Sequence, residues 1–138
     1  MLDEVHFELF KYTGMKDIII KGDKQKPDLV FSAETGELKI TGQSLPENAT
    51  MLYSPVLEWI EEYAKEPKAK TVLSLKMKYY NTASSKMLFS IIKRLNLLFK
   101  GGFDVEIEWH YQQDDEDMLD AGEYFRDLVD IPFKFISY

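Results

Sequence analysis

The chain has 138 residues, with 17 Lys+Arg against 24 Asp+Glu, no cysteine, and 45% hydrophobic residues. That length suits one domain, able to bury a core without a disulfide or metal staple. The missing cysteines exclude a disulfide scaffold, thiol catalysis and a Cys-based zinc site. A net charge of −7 argues against a nucleic-acid-binding domain.

The charge is unevenly spread. Residues 1–64 hold 6 basic and 12 acidic groups, residues 65–100 hold 9 and 1, and residues 101–138 hold 2 and 11. An acidic protein thus has a basic middle. The start mixes Asp3, Glu4 and Glu8 with apolar residues and does not resemble a signal peptide. Apolar runs fall far short of the roughly 20 residues that cross a bilayer. A soluble, cytoplasmic protein without membrane or nucleic-acid partners is expected.

In chain order, Val5 to Tyr12 reads as a strand or an appendage, within an N-terminal stretch 1–17 that stands apart from the rest. Ile18-Ile19-Ile20 is a β-branched run that predicts a strand. Leu29-Val30-Phe31 and Leu38-Lys39-Ile40 flank a turn at Ala33–Gly36, which predicts a hairpin. Ser44 to Asn48 reads as a loop ending in an N-cap. Tyr53, Val56, Leu57, Ile60 and Tyr63 then recur at helical spacing to about Lys65, with a kink or fresh start expected at Pro55. Leu73, Leu75, Met77 and Tyr79 alternate with Ser74, Lys76, Lys78 and Tyr80 as in a strand. Leu88, Ile91, Ile92, Leu95, Leu98 and Phe99 predict a helix that Gly101-Gly102 stops. Val105, Ile107, Trp109 and Tyr111 predict another strand. Met118, Ala121, Phe125, Leu128 and Val129 predict a helix begun by Asp114–Asp117, and Phe133 with Phe135 a last strand.

The fold class is therefore α/β: a mixed β-sheet with an N-terminal hairpin and βαβαβ units, the helices mainly on one face. Residues 1–138 form a single domain in this reading. The open face would carry Glu37, Lys39, Thr41, Lys76, Lys78, Glu106, Glu108 and Lys134, with Lys76 and Lys78 answering Glu106 and Glu108 across strands. Trp59 and Trp109 fall on apolar stripes and read as core.

Catalytic signals are sparse. His6 and His110 lie in alternating segments and read as surface or sheet-face residues. There is no Gly-rich phosphate loop, nucleophile elbow or His-x-x-x-His pair. Asp114–Asp117 lacks the spaced ligands of a calcium loop and suits a helix start instead. No enzyme, cofactor or metal site is expected.

The informative segment is Tyr79-Tyr80-Asn81-Thr82-Ala83-Ser84-Ser85-Lys86, where a strand ends and an amphipathic helix begins. Asn81 or Thr82 can cap the first free amides. A hydroxyl here sits where amides and the helix dipole favour an anion. A phosphate on Thr82 would add about −1.5 to −2 charge, with Lys86 one turn away. An alternative reading uses the same helix start as an anion, nucleotide or other small-molecule cradle.

These residues resemble a known family, the SiaC-type bacterial regulatory phosphoproteins. Gly42–Asn48, Tyr53, Pro55 and Glu58-Trp59 match its first block, and Tyr79–Lys86 its second. Trp109-His110-Tyr111, Asp114–Met118, Gly122-Glu123 and Pro132-Phe133 match its third. The resemblance covers roughly residues 18–138. It implies a fold similar to the STAS domains of anti-sigma-factor antagonists and a non-enzymatic partner-switching role. It places the phosphoacceptor on Thr82, with Asn81, Ala83, Ser84, Ser85 and Lys86 as the surrounding partner-binding residues. It also implies a histidine-kinase-like Ser/Thr kinase, a PP2C-like phosphatase, and an output protein such as a diguanylate cyclase in cyclic di-GMP signalling. The chain departs from the family at Lys26, Tyr80, Ala83 and His110, and residues 1–17 have no clear counterpart.

Overall fold

The computed structural model describes residues 15–138. The segment Val5–Tyr12, and His6 with it, lies outside the described residues. Strands β1 (Ile18–Ile20), β2 (Asp28–Phe31) and β3 (Glu37–Ser44) form an antiparallel meander. Strands β4 (Lys70–Tyr80), β5 (Asp104–Tyr111) and β6 (Phe133–Ser137) continue it in parallel, giving one sheet in the order β1 to β6. Helices α1 (Ala49–Tyr63), α2 (Thr82–Lys100) and α3 (Glu116–Asp127) are the crossovers between the parallel strands. The expected hairpin is β2–β3, with Leu29 opposite Ile40 and Phe31 opposite Leu38.

Each crossover steps one strand in the same direction, so right-handed connections set all three helices on one face. Alternation along the strands feeds that face. Leu29, Phe31, Leu38, Ile40, Leu73, Leu75, Val105, Ile107 and Trp109 are buried, while Lys39, Lys76 and Lys134 stand exposed on the other side. Both tryptophans belong to the core, and each indole N–H has a partner. Trp59 donates to the Lys16 carbonyl at 2.6 Å and stacks on Tyr63 with centroids 5.2 Å apart. Trp109 donates to the Met118 carbonyl at 2.9 Å. Helix α3 lies so close to this indole that a Cβ on Gly122 would stand 2.5 Å from Trp109 Nε1. Only glycine lets the helix settle there.

Three sequence expectations change. Helix α1 runs unbroken through Pro55, because Asn48 Oδ1 caps it from the Met51 amide at 3.0 Å and starts it well before the proline. Pro55 lies exposed, on the side of the helix where water can take the carbonyl that its missing N–H leaves over.

The alternation of β4 also fails at its end. The register with β3 slips between Gly42 and Gln43, which pair with Met77 and Tyr79 and leave Lys78 as the extra residue of a bulge. Gly42 takes φ +117° there, a conformation cheap only for glycine. Tyr79 therefore turns outward, 55% exposed, and Tyr80 packs half-buried against the core, inverting the sequence reading.

On the open face, the β4 lysines Lys76 and Lys78 do not answer Glu106 and Glu108. Glu106 lies opposite Val72 and meets Lys70 at 3.9 Å, and Glu108 lies between Ser74 and Lys134. Lys76 stands opposite Thr41 and His110, with its ammonium 4.5 Å over the Tyr138 ring.

Candidate functional site

The parallel strands end at one edge of the sheet, and the helices begin there. The β1–β2 loop joins this edge from the side. The Leu45 amide donates to the Gln25 carbonyl at 2.6 Å, and Gln43 Nε2 donates to the Lys24 carbonyl at 3.0 Å. Asp23 holds the loop in shape by accepting the Gln25 and Lys26 amides at 2.8 and 3.0 Å. Hydrogen bonds to these two backbone amides, Gln25 first, hold its carboxyl below the usual carboxylate range. The loop thus brings Lys24 and Lys26 to the edge where α2 starts.

Asn81 is the cap of α2. Its Oδ1 accepts the Ser84 amide at 2.9 Å and its carbonyl accepts the Ser85 amide at 2.9 Å. The cap itself is fixed to β3, since the Asn81 amide donates to the Ser44 carbonyl at 3.0 Å. Behind it runs a buried row of hydroxyls. Tyr53 OH lies 2.7 Å from Ser44 Oγ, Ser44 Oγ lies 2.8 Å from Ser84 Oγ, and Ser84 Oγ donates to the Ser44 carbonyl at 3.2 Å.

Proton counting gives the row a direction. With the single Ser84 hydroxyl proton on the Ser44 carbonyl, Ser44 donates to Ser84 and Tyr53 to Ser44. The Ser44 carbonyl then fills both lone pairs, from Ser84 and from Asn81. Burial, opposed by the Ser44 contact, raises the pKa of the Tyr53 phenol. Ser44 and Ser84 are fully buried.

This geometry sorts the hydroxyls of the 82–85 run. Thr82 and Ala83 are exposed on the first turn, Ser84 is sealed in the row, and Ser85 is half-buried. Lys86 stands exposed four residues after Thr82, on the same side of the helix. The first turn of α2 carries no acidic side chain, whereas α3 opens with Glu116 and Asp117 behind its Asp115 cap. Thr82 therefore sits at a helix start whose dipole no acidic side chain of the first turn offsets. Tyr80, beside it, has its phenol pushed up to about 12 by burial.

The remaining candidates have structural employment. Asp115 Oδ1 caps α3 from the Met118 amide at 3.0 Å, and among the described residues no three His, Asp or Glu side chains converge as a metal site. His110 lies on the open sheet face, its Nε2 3.1 Å from Ser74 Oγ and 3.8 Å from Glu108. Burial lowers its pKa, Glu108 opposes this, and Lys76 adds to it. Sequence reasoning missed Ser44 and the role of the Tyr53 hydroxyl. The helical stripe placed the Tyr53 ring in the core, but no local pattern reports that its hydroxyl meets Ser44, or that Ser44 meets Ser84, 40 residues further on.

Fold and site together define a class: a small α/β domain, helices on one face, that presents a helix-start hydroxyl at the carboxyl edge of its sheet. A model of the SiaC family regulatory phosphoproteins matches residues 20–138, and the chain belongs to that family. A protein of Pseudomonas aeruginosa strain UCBPP-PA14, described as uncharacterized, is 31% identical over 124 residues, covering 90% of this chain and 98% of its own. The solved SiaC of Pseudomonas aeruginosa is 29% identical with TM-score 0.83, over 90% of this chain and 100% of SiaC. SiaC in its crystal complex with the diguanylate cyclase SiaD, where it is described as the activator, is 30% identical with TM-score 0.84, over 88% and 100%. The six-stranded mixed sheet with three helices matches these structures. Among the described residues no helix is long and apolar enough to cross a membrane.

Two outcomes are expected. Ser84→Ala strips the Ser44 hydroxyl of its acceptor in a buried site and should cost about 1–3 kcal/mol, while exposed Thr82→Ala should stay within about 0.5 kcal/mol. Equal urea midpoints for the two variants would contradict the hydroxyl row. By NMR titration the His110 ring should protonate below its ordinary 6.5. With the folded value lowered, its contribution to stability is present above the unfolded value and lost as pH falls. Lys76→Ala should raise the midpoint; a midpoint above 6.5 in the unsubstituted protein would contradict the burial effect.

Proposed function

We propose that this chain is a non-enzymatic partner-switching phosphoprotein. Its unmodified form binds and activates an output protein, a diguanylate cyclase, and phosphate on Thr82 turns that binding off. The observation that carries the reading is the exposure of Thr82 beside the sealed Ser84. Within the Thr-Ala-Ser-Ser run, the threonine carries the most exposed hydroxyl, Ser85 being half-buried and Ser84 sealed in the row. Family membership supports the regulatory role. The complex of the relative SiaC with SiaD supports a cyclase as the output. The family resemblance supplies the enzymes of the cycle, a histidine-kinase-like Ser/Thr kinase and a PP2C-like phosphatase in the cytoplasm.

The contact surface in this reading is the start of α2, Asn81, Thr82, Ala83, Ser84, Ser85 and Lys86, within which Ser84 acts from below. A dianionic group at the helix N-terminus is electrostatically welcome to this chain. It is unwelcome to a partner that has to desolvate it. That asymmetry lets one modification leave the protein folded and remove its partner.

The test is to incubate the protein with the kinase and ATP, map phosphate by mass spectrometry, and assay cyclase activation. Phosphate is expected on Thr82, with loss of activation. Thr82→Ala is expected to activate the cyclase whether or not kinase is present. Phosphate confined to Ser85, or kinase-dependent loss of activation in Thr82→Ala, would overturn the assignment.

A further inference from the structure

Phosphorylation switches fall into two physical kinds. In one the phosphate melts or orders a segment; in the other it changes the surface of a backbone that stays put. The buried chemistry beneath Thr82 decides between them here. The first turn of α2 is bound to the rest of the molecule by more than helical hydrogen bonds. Asn81 is tied to Ser44 through its amide and to Ser84 through its side chain. Ser84 returns to Ser44 through both the hydroxyl and the carbonyl. Tyr53 anchors Ser44 to α1. Three elements, β3, α1 and α2, therefore meet in one closed set of bonds, and among the described residues no buried side-chain polar atom lacks a partner.

We propose that Ser44, Tyr53 and Ser84 are positioning residues for the phosphoacceptor, and that they make the switch a rigid one. The inference rests on Thr82 being the modified residue. A phosphate on its exposed hydroxyl touches none of the bonds in the set. It can take up the free first-turn amides without displacing the Asn81 cap, whose acceptor already serves Ser84. Melting the turn would strand the Ser84 and Ser44 hydroxyls in a fully buried site. The modified and unmodified forms then share one backbone and differ only in the charge and shape they present.

The experiment needs no kinase or partner. Phosphothreonine is installed at position 82 during translation in the full chain, and amide hydrogen exchange is compared with the unmodified protein, residue by residue. The phosphate is expected to change protection of the Ser84, Ser85 and Leu88 amides by less than about 3-fold. Loss of protection of about 10-fold or more at these amides would overturn the proposal.

The same pair of proteins is then made with Ser84→Ala and, as a milder change that keeps the fold, Tyr53→Phe. In both backgrounds the phosphate effect on exchange is expected to grow at least about 3-fold over that in the parent, a coupling that a merely stabilising role would not produce. An unchanged phosphate effect in Tyr53→Phe and Ser84→Ala would remove the positioning role. These readings are blind to the output protein, so a failure here is separable from a failure of the partner-switching reading.

Discussion

At Ser44 a single residue must satisfy a carbonyl with two lone pairs and a hydroxyl with its own proton, all out of reach of water. The structure meets that demand from three elements at once: Tyr53 from α1, and Asn81 and Ser84 from the start of α2. A buried polar group left unmade is costly, and a chain of such groups is all or nothing. The end of β3 therefore fixes where α2 begins, and with it the presentation of Thr82. The bulge at Gly42 is part of the same constraint. By skipping Lys78 it brings Ser44 opposite Tyr80, one residue before the cap.

The wider fold serves this edge. Helices on one face leave a sheet whose other face carries mixed charge, and the parallel strands deliver their helix starts to one side. Acidic side chains complement the start of α3 but not that of α2. The β1–β2 loop adds Lys24 and Lys26 nearby. The basic middle of an acidic chain thus acquires a place: its Lys86 stands on the first turns of a helix whose start carries no acidic side chain. In the proposed switch a phosphate arrives where local charge can receive it, while the protein as a whole stays acidic.

Much of this was legible in the amino-acid order. The apolar spacing of Leu88, Ile91, Ile92, Leu95 and Leu98 and the alternation of Val105, Ile107 and Trp109 report burial directly, so element order and the one-sided sheet followed. Asn48, Asn81 and Asp115 cap helices because their side chains are short acceptors in the right place, which local sequence reveals. What stayed hidden was non-local. The bulge that turns Tyr79 outward is a matter of register between β3 and β4. The continuity of α1 through Pro55 depends on a start signal seven residues earlier. Nothing near Glu106 says that Lys70, and not Lys76, stands beside it. Thr82 could be singled out by its position at a helix start, but only tertiary structure separates it from Ser84, two residues on and sealed from solvent.

The central claim is that phosphate on Thr82 abolishes recognition by the output protein without altering the fold. Titration calorimetry tests it most directly, with the diguanylate cyclase titrated by the unmodified chain and by the chain carrying phosphothreonine at position 82. The modified form is expected to bind at least about 10-fold more weakly, a difference of about 1.4 kcal/mol or more. Equal affinities for the two forms would contradict it.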